Sequence, residues 1–123
     1  MKDILQTEDI HLSVDIPKIN NEVVNLNTIN YLKVEVFSSD CEYKKVELKI
    51  QQGNYKSTGS IKCSGELTDN IIHLYIQSSV TPFGLGQLKV QMEFNLTNPK
   101  FPNGYQKIRT KKIPLDFNII SDK

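Results

Sequence analysis

The chain has no tryptophan and no alanine, two cysteines, two histidines, six glycines and five prolines. Each shortage excludes something. Without alanine the best helix former is missing, whereas Ile, Val and Thr are plentiful, so intrinsic preference lies with strands. No segment approaches the ~20 apolar residues that span a bilayer as a helix. The opening residues, Met1-Lys2-Asp3-Ile4-Leu5-Gln6-Thr7, hold no apolar run of signal-peptide length, which leads to an expectation of synthesis and folding in the cytoplasm. Cys41 and Cys63 fit no metal-ligand spacing. They are expected as unrelated free thiols, with Cys63 buried in a strand, because a disulfide needs an oxidising compartment. Lys and Arg total 15 against 14 Asp and Glu, a formal net charge of +1. No long-range field therefore draws the chain to nucleic acid or to anionic lipid.

What is present is period-two alternation. A length of 123 residues suits one domain with one core, and no stretch of helical length sustains a three-to-four spacing of apolar residues. Leu88, Val90, Met92, Phe94 and Leu96 alternate with Gln87, Lys89, Gln91, Glu93 and Asn95, so one face is buried and the other wet. The same pattern gives strands carrying Ile10, Leu12, Val14 and Ile16; Leu32, Val34 and Val36; Val46, Leu48 and Ile50; and Ile61 with Cys63. Ile72, Leu74 and Ile76 form a further strand whose other parity holds Ile71, His73 and Tyr75, predicting a central strand covered on both faces. In the last strand Ile113, Leu115, Phe117 and Ile119 share a parity that Ile108 breaks, which calls for a bulge or a change of sheet near Lys111-Lys112. Pro114 cannot donate to a ladder and places that strand at an edge or beside the bulge. Turn residues separate the runs, notably across residues 17–30, 38–40, 52–54, 67–70, 81–86 and 98–104. The expected fold is an all-β, immunoglobulin-like antiparallel sandwich of about seven strands. Residues 9–120 form the single domain, residues 1–8 an N-terminal arm that orders against a neighbour, and residues 121–123 a tail.

Catalysis requires groups with matched roles brought together, and the sequence offers no nucleophile beside a base, no paired carboxylates and no metal cluster. The expectation is a non-enzyme with no catalytic, cofactor or metal residues. His11, between two inward residues, is read as an exposed histidine, and His73 as a hydrogen-bonded structural one. Gly84-Leu85-Gly86 precedes a strand, whereas a phosphate cradle needs a following helix; the glycines are read as permitting a tight strand entry. Lys107, Arg109 and Lys111 form a basic stripe. Its ordinary role is to prevent edge-to-edge sheet pairing, and its functional alternative is contact with an acidic protein surface. Aromatics do not interleave with these cations as a nucleic-acid platform requires.

Apolar loop residues give the sharper signal. Phe83 and Leu85 occupy one loop and Phe101, between two prolines, another; such residues either anchor protein contacts or fold back to cap the core. With alternating strand directions the two loops lie at opposite ends of the sandwich. Two final strands of about ten residues each would carry Phe101 on a hairpin reaching ~30 Å, beyond the sandwich body. The candidate protein-contact residues are thus Phe83, Leu85, Phe101, Lys107, Arg109 and Lys111.

The order of parts carries a resemblance. Glu8-Asp9 opens an alternating strand, Val24-Asn25-Leu26 precedes the strand at 32–37, and a long middle section ends at Leu74. Gly86-Gln87-Leu88-Lys89-Val90-Gln91-Met92-Glu93-Phe94 follows, then Asn103-Gly104-Tyr105, Arg109-Thr110 and Asp116-Phe117-Asn118-Ile119. This resembles the immunoglobulin-like modules of bacteriophage virion proteins: the N-terminal domain of baseplate upper proteins, and head-fibre or capsid-decoration domains of phages infecting Bacteroides-like hosts. The likeness spans about residues 8–119 and rests on pattern and order. It implies a non-enzymatic structural protein of the virion, made in the host cytoplasm and bound to the major capsid protein or to fibre or baseplate proteins, often as an oligomer, with no cofactor, nucleic acid or membrane. An auxiliary capsid-decorating subunit is expected first. The alternatives are a tail, baseplate or fibre-attachment module, and a carbohydrate-binding module for host attachment that uses Tyr55, Phe83 and Tyr105.

Overall fold

The computed structural model describes residues 1–19, 21, 24 and 28–122. Within the expected turn at 17–30, residues 20, 22, 23 and 25–27 lie outside the described residues, Asn25-Leu26 among them, as does Lys123; Val24 is buried. Ten strands form among the described residues: β1 (Lys2–Leu5), β2 (Ile10–Asp15), β3 (Ile29–Ser38), β4 (Cys41–Gln51), β5 (Asn54–Ser57), β6 (Cys63–Thr68), β7 (Ile71–Ile76), β8 (Gly86–Thr97), β9 (Tyr105–Arg109) and β10 (Ile113–Ile120). They build an all-β sandwich. One sheet runs β1-β10-β8-β3-β4-β5 with β9 also paired to β8, and the facing sheet is β2-β7-β6.

The alternating residues make the core. Leu32, Val34 and Val36 of β3, Val46 and Leu48 of β4, and Leu88, Val90, Met92 and Phe94 of β8 are buried from the large sheet; Leu12, Ile72, Leu74 and Ile76 meet them from the small one. Removing each such side chain from water stabilises the fold by about 1.5–3 kcal/mol, which holds the register against a one-residue slip that would turn the whole set outward. Gln52 and Gly53 both have positive φ and close the two-residue hairpin between β4 and β5, as a primed turn requires.

Several expectations change. The arrangement is antiparallel except at the N-terminus, where β1 pairs parallel with β10 in the register Ile4↔Ile119. Residues 1–8 are therefore not an arm awaiting a neighbour: Ile4 is buried in the core of its own chain. β7 is central in its sheet, between β2 and β6, yet its second face is open, with His73 half-buried and Tyr75 exposed. Among the described residues no layer covers it, because the small sheet is the outermost element on that side.

The last strand is broken where parity demanded. β9 takes the edge of β8 from Glu93 to Thr97 and β10 takes the same edge from Gly86 to Val90. Between them, the Met92 N–H donates to Thr110 Oγ1 and the Thr110 N–H to Met92 O, at 3.0 and 2.9 Å, so one threonine satisfies the ladder across the gap. A second irregularity lies between Pro114 and Asn118; Ile113, directly opposite the buried Val90, is nonetheless 39% exposed, on the stretch of β10 that β1 does not reach. β1 covers β10 only from Phe117 onward, so Pro114 sits where no outer partner asks for its missing N–H. β9 has only five residues, and β3 follows β8 as far as Ile29↔Leu96. The hairpin therefore ends level with the sandwich, and Phe101 sits at its rim instead of on a projecting tip.

Candidate functional site

The outer face of the large sheet is polar and internally neutralised. Across β4, β3, β8 and β9 the side chains Lys49, Glu47, Lys45, Glu35, Lys33, Glu93 and Lys107 form a continuous line of ion pairs, with separations from 2.7 Å (Lys107–Glu93) to 3.6 Å (Lys49–Glu47). Of these pairs only Lys33–Glu93 is directly opposite in register. Lys33–Glu35, Lys45–Glu47 and Lys49–Glu47 run along a strand, and Lys45–Glu35 and Lys107–Glu93 run diagonally, which offsets the like charges that face each other at Lys33↔Lys49 and Glu35↔Glu47. Hydrogen bonding from Lys107, opposed by burial and helped by Lys33, holds the Glu93 carboxyl below its ordinary range. Burial works against the charged form of Glu47, but the Thr58 hydroxyl and the surrounding lysines outweigh it and the shift is also downward. The hydrogen bond to Glu35, against burial, raises Lys45. Burial pulls Lys33 down, and its contacts with Glu35 and Glu93 more than reverse that.

The basic stripe is thus partly committed. Lys107 sits on Glu93 at 2.7 Å, while Arg109 and Lys111 remain exposed on and beside β9. β9 has β8 on one side alone, which is the position where cations deter edge pairing. The adjacent Lys112 pairs with Glu42 at 2.6 Å and lies 5.5 Å above the Phe37 ring, covering an aromatic that the outer face would otherwise expose.

The two loops do lie at opposite ends of β8, but their residues differ in kind. Phe83 is completely buried, 0% exposed, in the core cluster. It caps the interior and offers no surface to a partner, because the loop folds back over the end of the sandwich. That fold-back is held by the Gln6 side-chain amide donating to Phe83 O at 2.9 Å and by the Asp40 N–H donating to Leu85 O at 3.3 Å. Gly86, at φ 104, packs against Ser39 and Asp40 so closely that a Cβ would collide with the Ser39 hydroxyl. The glycine therefore serves the tight strand entry. Leu85 and Val80 stay outside, 38% and 70% exposed.

At the other end Phe101 is 40% exposed, beside exposed Tyr105. Its loop is stiffened by Asn98 N–H to Gly104 O at 2.8 Å, Gly104 N–H to Phe101 O at 2.9 Å, and the Asn98 and Asn103 side chains accepting from Lys100 and Tyr105 N–H. Both ends thus present apolar side chains on braced loops. Val80, and Tyr43 near the start of β4, are exposed apolar residues that sequence reasoning missed. Nothing in local patterning distinguishes an exposed Val in a loop from a buried one.

The open face of β2-β7-β6 assembles the chain's two histidines. His11 is opposite Tyr75 and Ser13 is opposite His73. His11 Nε2 lies 3.4 Å from His73 Nδ1, which is also 3.1 Å from Ser13 Oγ. The His11 ring stacks on Tyr75 at 4.6 Å and 8°, and the Tyr75 hydroxyl donates to Glu66 Oε1 at 2.8 Å. His11 is exposed and His73 hydrogen-bonded, as expected of each alone; their meeting was not foreseen. Beside them an open groove of about 550 Å³ is lined by Asp9, His11, Lys62, Cys63, Ser64 and Tyr75, among others. Both cysteines are free, and burial pushes the Cys63 thiol up.

Compared with known proteins, the chain matches no family model, no curated protein and no solved structure.

Proposed function

We propose that the chain is a non-enzymatic protein-binding domain with an immunoglobulin-like fold, which joins neighbours through its two ends, and that it serves as an auxiliary structural subunit on a bacteriophage capsid. The observation that carries the binding role is the pair of opposed, braced loops bearing Leu85 and Val80 at one end and Phe101 and Tyr105 at the other. Rigid loops lose little entropy on docking, and a central aromatic is the residue type that anchors interfaces. Contacts at both ends let one subunit bridge two others. Arg109 and Lys111 on the edge beside Phe101's hairpin add a rim suited to an acidic partner surface.

Strand order supports the immunoglobulin-like part. Taken in chain order, the second, seventh and sixth strands face a sheet in which the last strand, β8, β3, β4 and β5 are neighbours. That order agrees with a variable-type arrangement, in which strands B, E and D would face G, F and C extended by C′ and C″, with G divided into β9 and β10. The inter-sheet disulfide and buried tryptophan of antibody domains are absent: the cysteines are free and there is no Trp. The capsid assignment rests on the resemblance in order and pattern to phage virion modules.

The test is cosedimentation of the purified chain with capsids and with tails of a Bacteroides-type phage. Saturable binding to capsids is expected, weakened by about 1–3 kcal/mol in Phe101→Ala. Binding to tails alone would move the subunit to the baseplate or fibre, and binding to neither would end the virion reading.

A further inference from the structure

The histidine pair on the open face of the small sheet has a geometry that a plain surface does not need. We propose that His11 and His73 form a bidentate site for a divalent transition metal, of the Zn²⁺ or Cu²⁺ type. Imidazole nitrogen is the commonest protein ligand for these ions. Two metal–nitrogen bonds of about 2.0–2.1 Å at a tetrahedral angle place their nitrogens roughly 3.3 Å apart. His11 Nε2 and His73 Nδ1 stand 3.4 Å apart. The strands already supply the bite, and an ion enters by small rotations of the two rings that turn their lone pairs from each other towards a common point.

The platform is stiff and the surroundings suit a cation. The ligands come from adjacent strands paired through six consecutive positions, Ile10↔Ile76 to Asp15↔Ile71. The Tyr75 ring stacks on His11, and Tyr75 is itself tied to Glu66. Asp15 of β2 and Glu66 of β6 place carboxylates on the same face, opposite Ile71 and His73 of β7 in the register. Ser13 Oγ, 3.1 Å from His73 Nδ1, is placed to hold a water bound to the ion. Among the described residues no group of three or more His, Cys, Asp or Glu gathers around one point, so the ion keeps water in its remaining positions. Such an open sphere on an accessible face leaves room for a further ligand from solvent or from a partner chain.

Ligation needs a lone pair on both nitrogens, so whichever one donates in the hydrogen bond must pass its proton to the other nitrogen of its own ring. Because protons compete with the metal for the same lone pairs, the affinity falls as pH is lowered. The chain has only two histidines, which makes the test clean. Untagged protein is titrated calorimetrically with ZnCl₂ and with CuCl₂ at pH 7.5 and 5.5. One ion per chain is expected at pH 7.5, with at least tenfold weaker binding at pH 5.5 and in His11→Gln or His73→Gln, and unchanged binding in a Cys41→Ser, Cys63→Ser double variant. On the unsubstituted chain, the electron paramagnetic resonance spectrum of the Cu²⁺ adduct should show coupling to two imidazole nitrogens. No saturable binding below millimolar metal, equal affinity in the His variants, loss of binding in the Cys variant, or a spectrum with fewer than two imidazole nitrogens would each overturn the site.

Discussion

Replacing Phe83 by Ala tests how the loop before β8 uses its aromatic. The ring is completely enclosed by the core cluster, so truncation removes its transfer free energy and leaves a cavity, about 3–5 kcal/mol for a buried Phe. Domains are stable by roughly 5–15 kcal/mol in total, so this is about a fifth or more of what holds the fold. The unfolding entropy expected for 123 residues is about 260 cal/mol/K, which converts a loss of ~4 kcal/mol into a fall of roughly 15 °C in Tm. Phe101, 40% exposed at the opposite rim, is the control, with an expected cost below about 1 kcal/mol. Urea unfolding followed by circular dichroism measures both, with the slope m unchanged. A Phe83→Ala variant within 1 kcal/mol of the parent, or a Phe101→Ala variant equally destabilised, would refute the assignment of one phenylalanine to the core and the other to the surface.

Three further outcomes follow from single features. Gly86→Ala should cost more than about 2 kcal/mol, since φ 104 and the contact with Ser39 oppose a Cβ together, whereas Gly104, at φ 83 with open space around it, should lose only the ~1–2 kcal/mol of backbone strain; equal losses in thermal melts would contradict the crowding argument. The Ser38 hydroxyl is buried without a hydrogen-bond partner among the described residues, so Ser38→Ala should be neutral or stabilising by up to about 1 kcal/mol, and a loss above that in chemical denaturation would mean the hydroxyl is bonded after all. Glu47 and Glu93 have lowered pKa values in the fold. Their contribution is therefore present above the unfolded carboxyl value of about 4.3 and is lost as pH falls below it. Lys33 and Lys45 are raised, so theirs is present below about 10.4 and is lost as pH climbs above it. Glu93→Gln should flatten the acid limb of a plot of urea midpoint against pH, and an unaltered limb would remove Glu93 from the account.

Much of the fold was legible because a strand in a sandwich writes its environment with a period of two. The run from Leu88 to Phe94 is buried at every second residue and less buried between, and the parity break before Ile113 marked the gap between β9 and β10. The loops that bear Leu85 and Phe101 could be placed at opposite ends for the same reason, since they flank one strand. Local pattern does not carry the partners of a strand or the depth of a loop. The lay of β1 on β10, the burial of Phe83 and the level end of the last hairpin follow from which strands pair, and that is set by how the sheets close over a common core. His11 and His73 are 62 residues apart; His11 reads as exposed on the wet parity of its strand, and His73 as a structural histidine on a face expected to be covered. Side-chain alternation decides only that each points away from the core. Only the antiparallel register of β2 and β7 brings their nitrogens to 3.4 Å, because pairing, unlike periodicity, is a property of two distant segments at once.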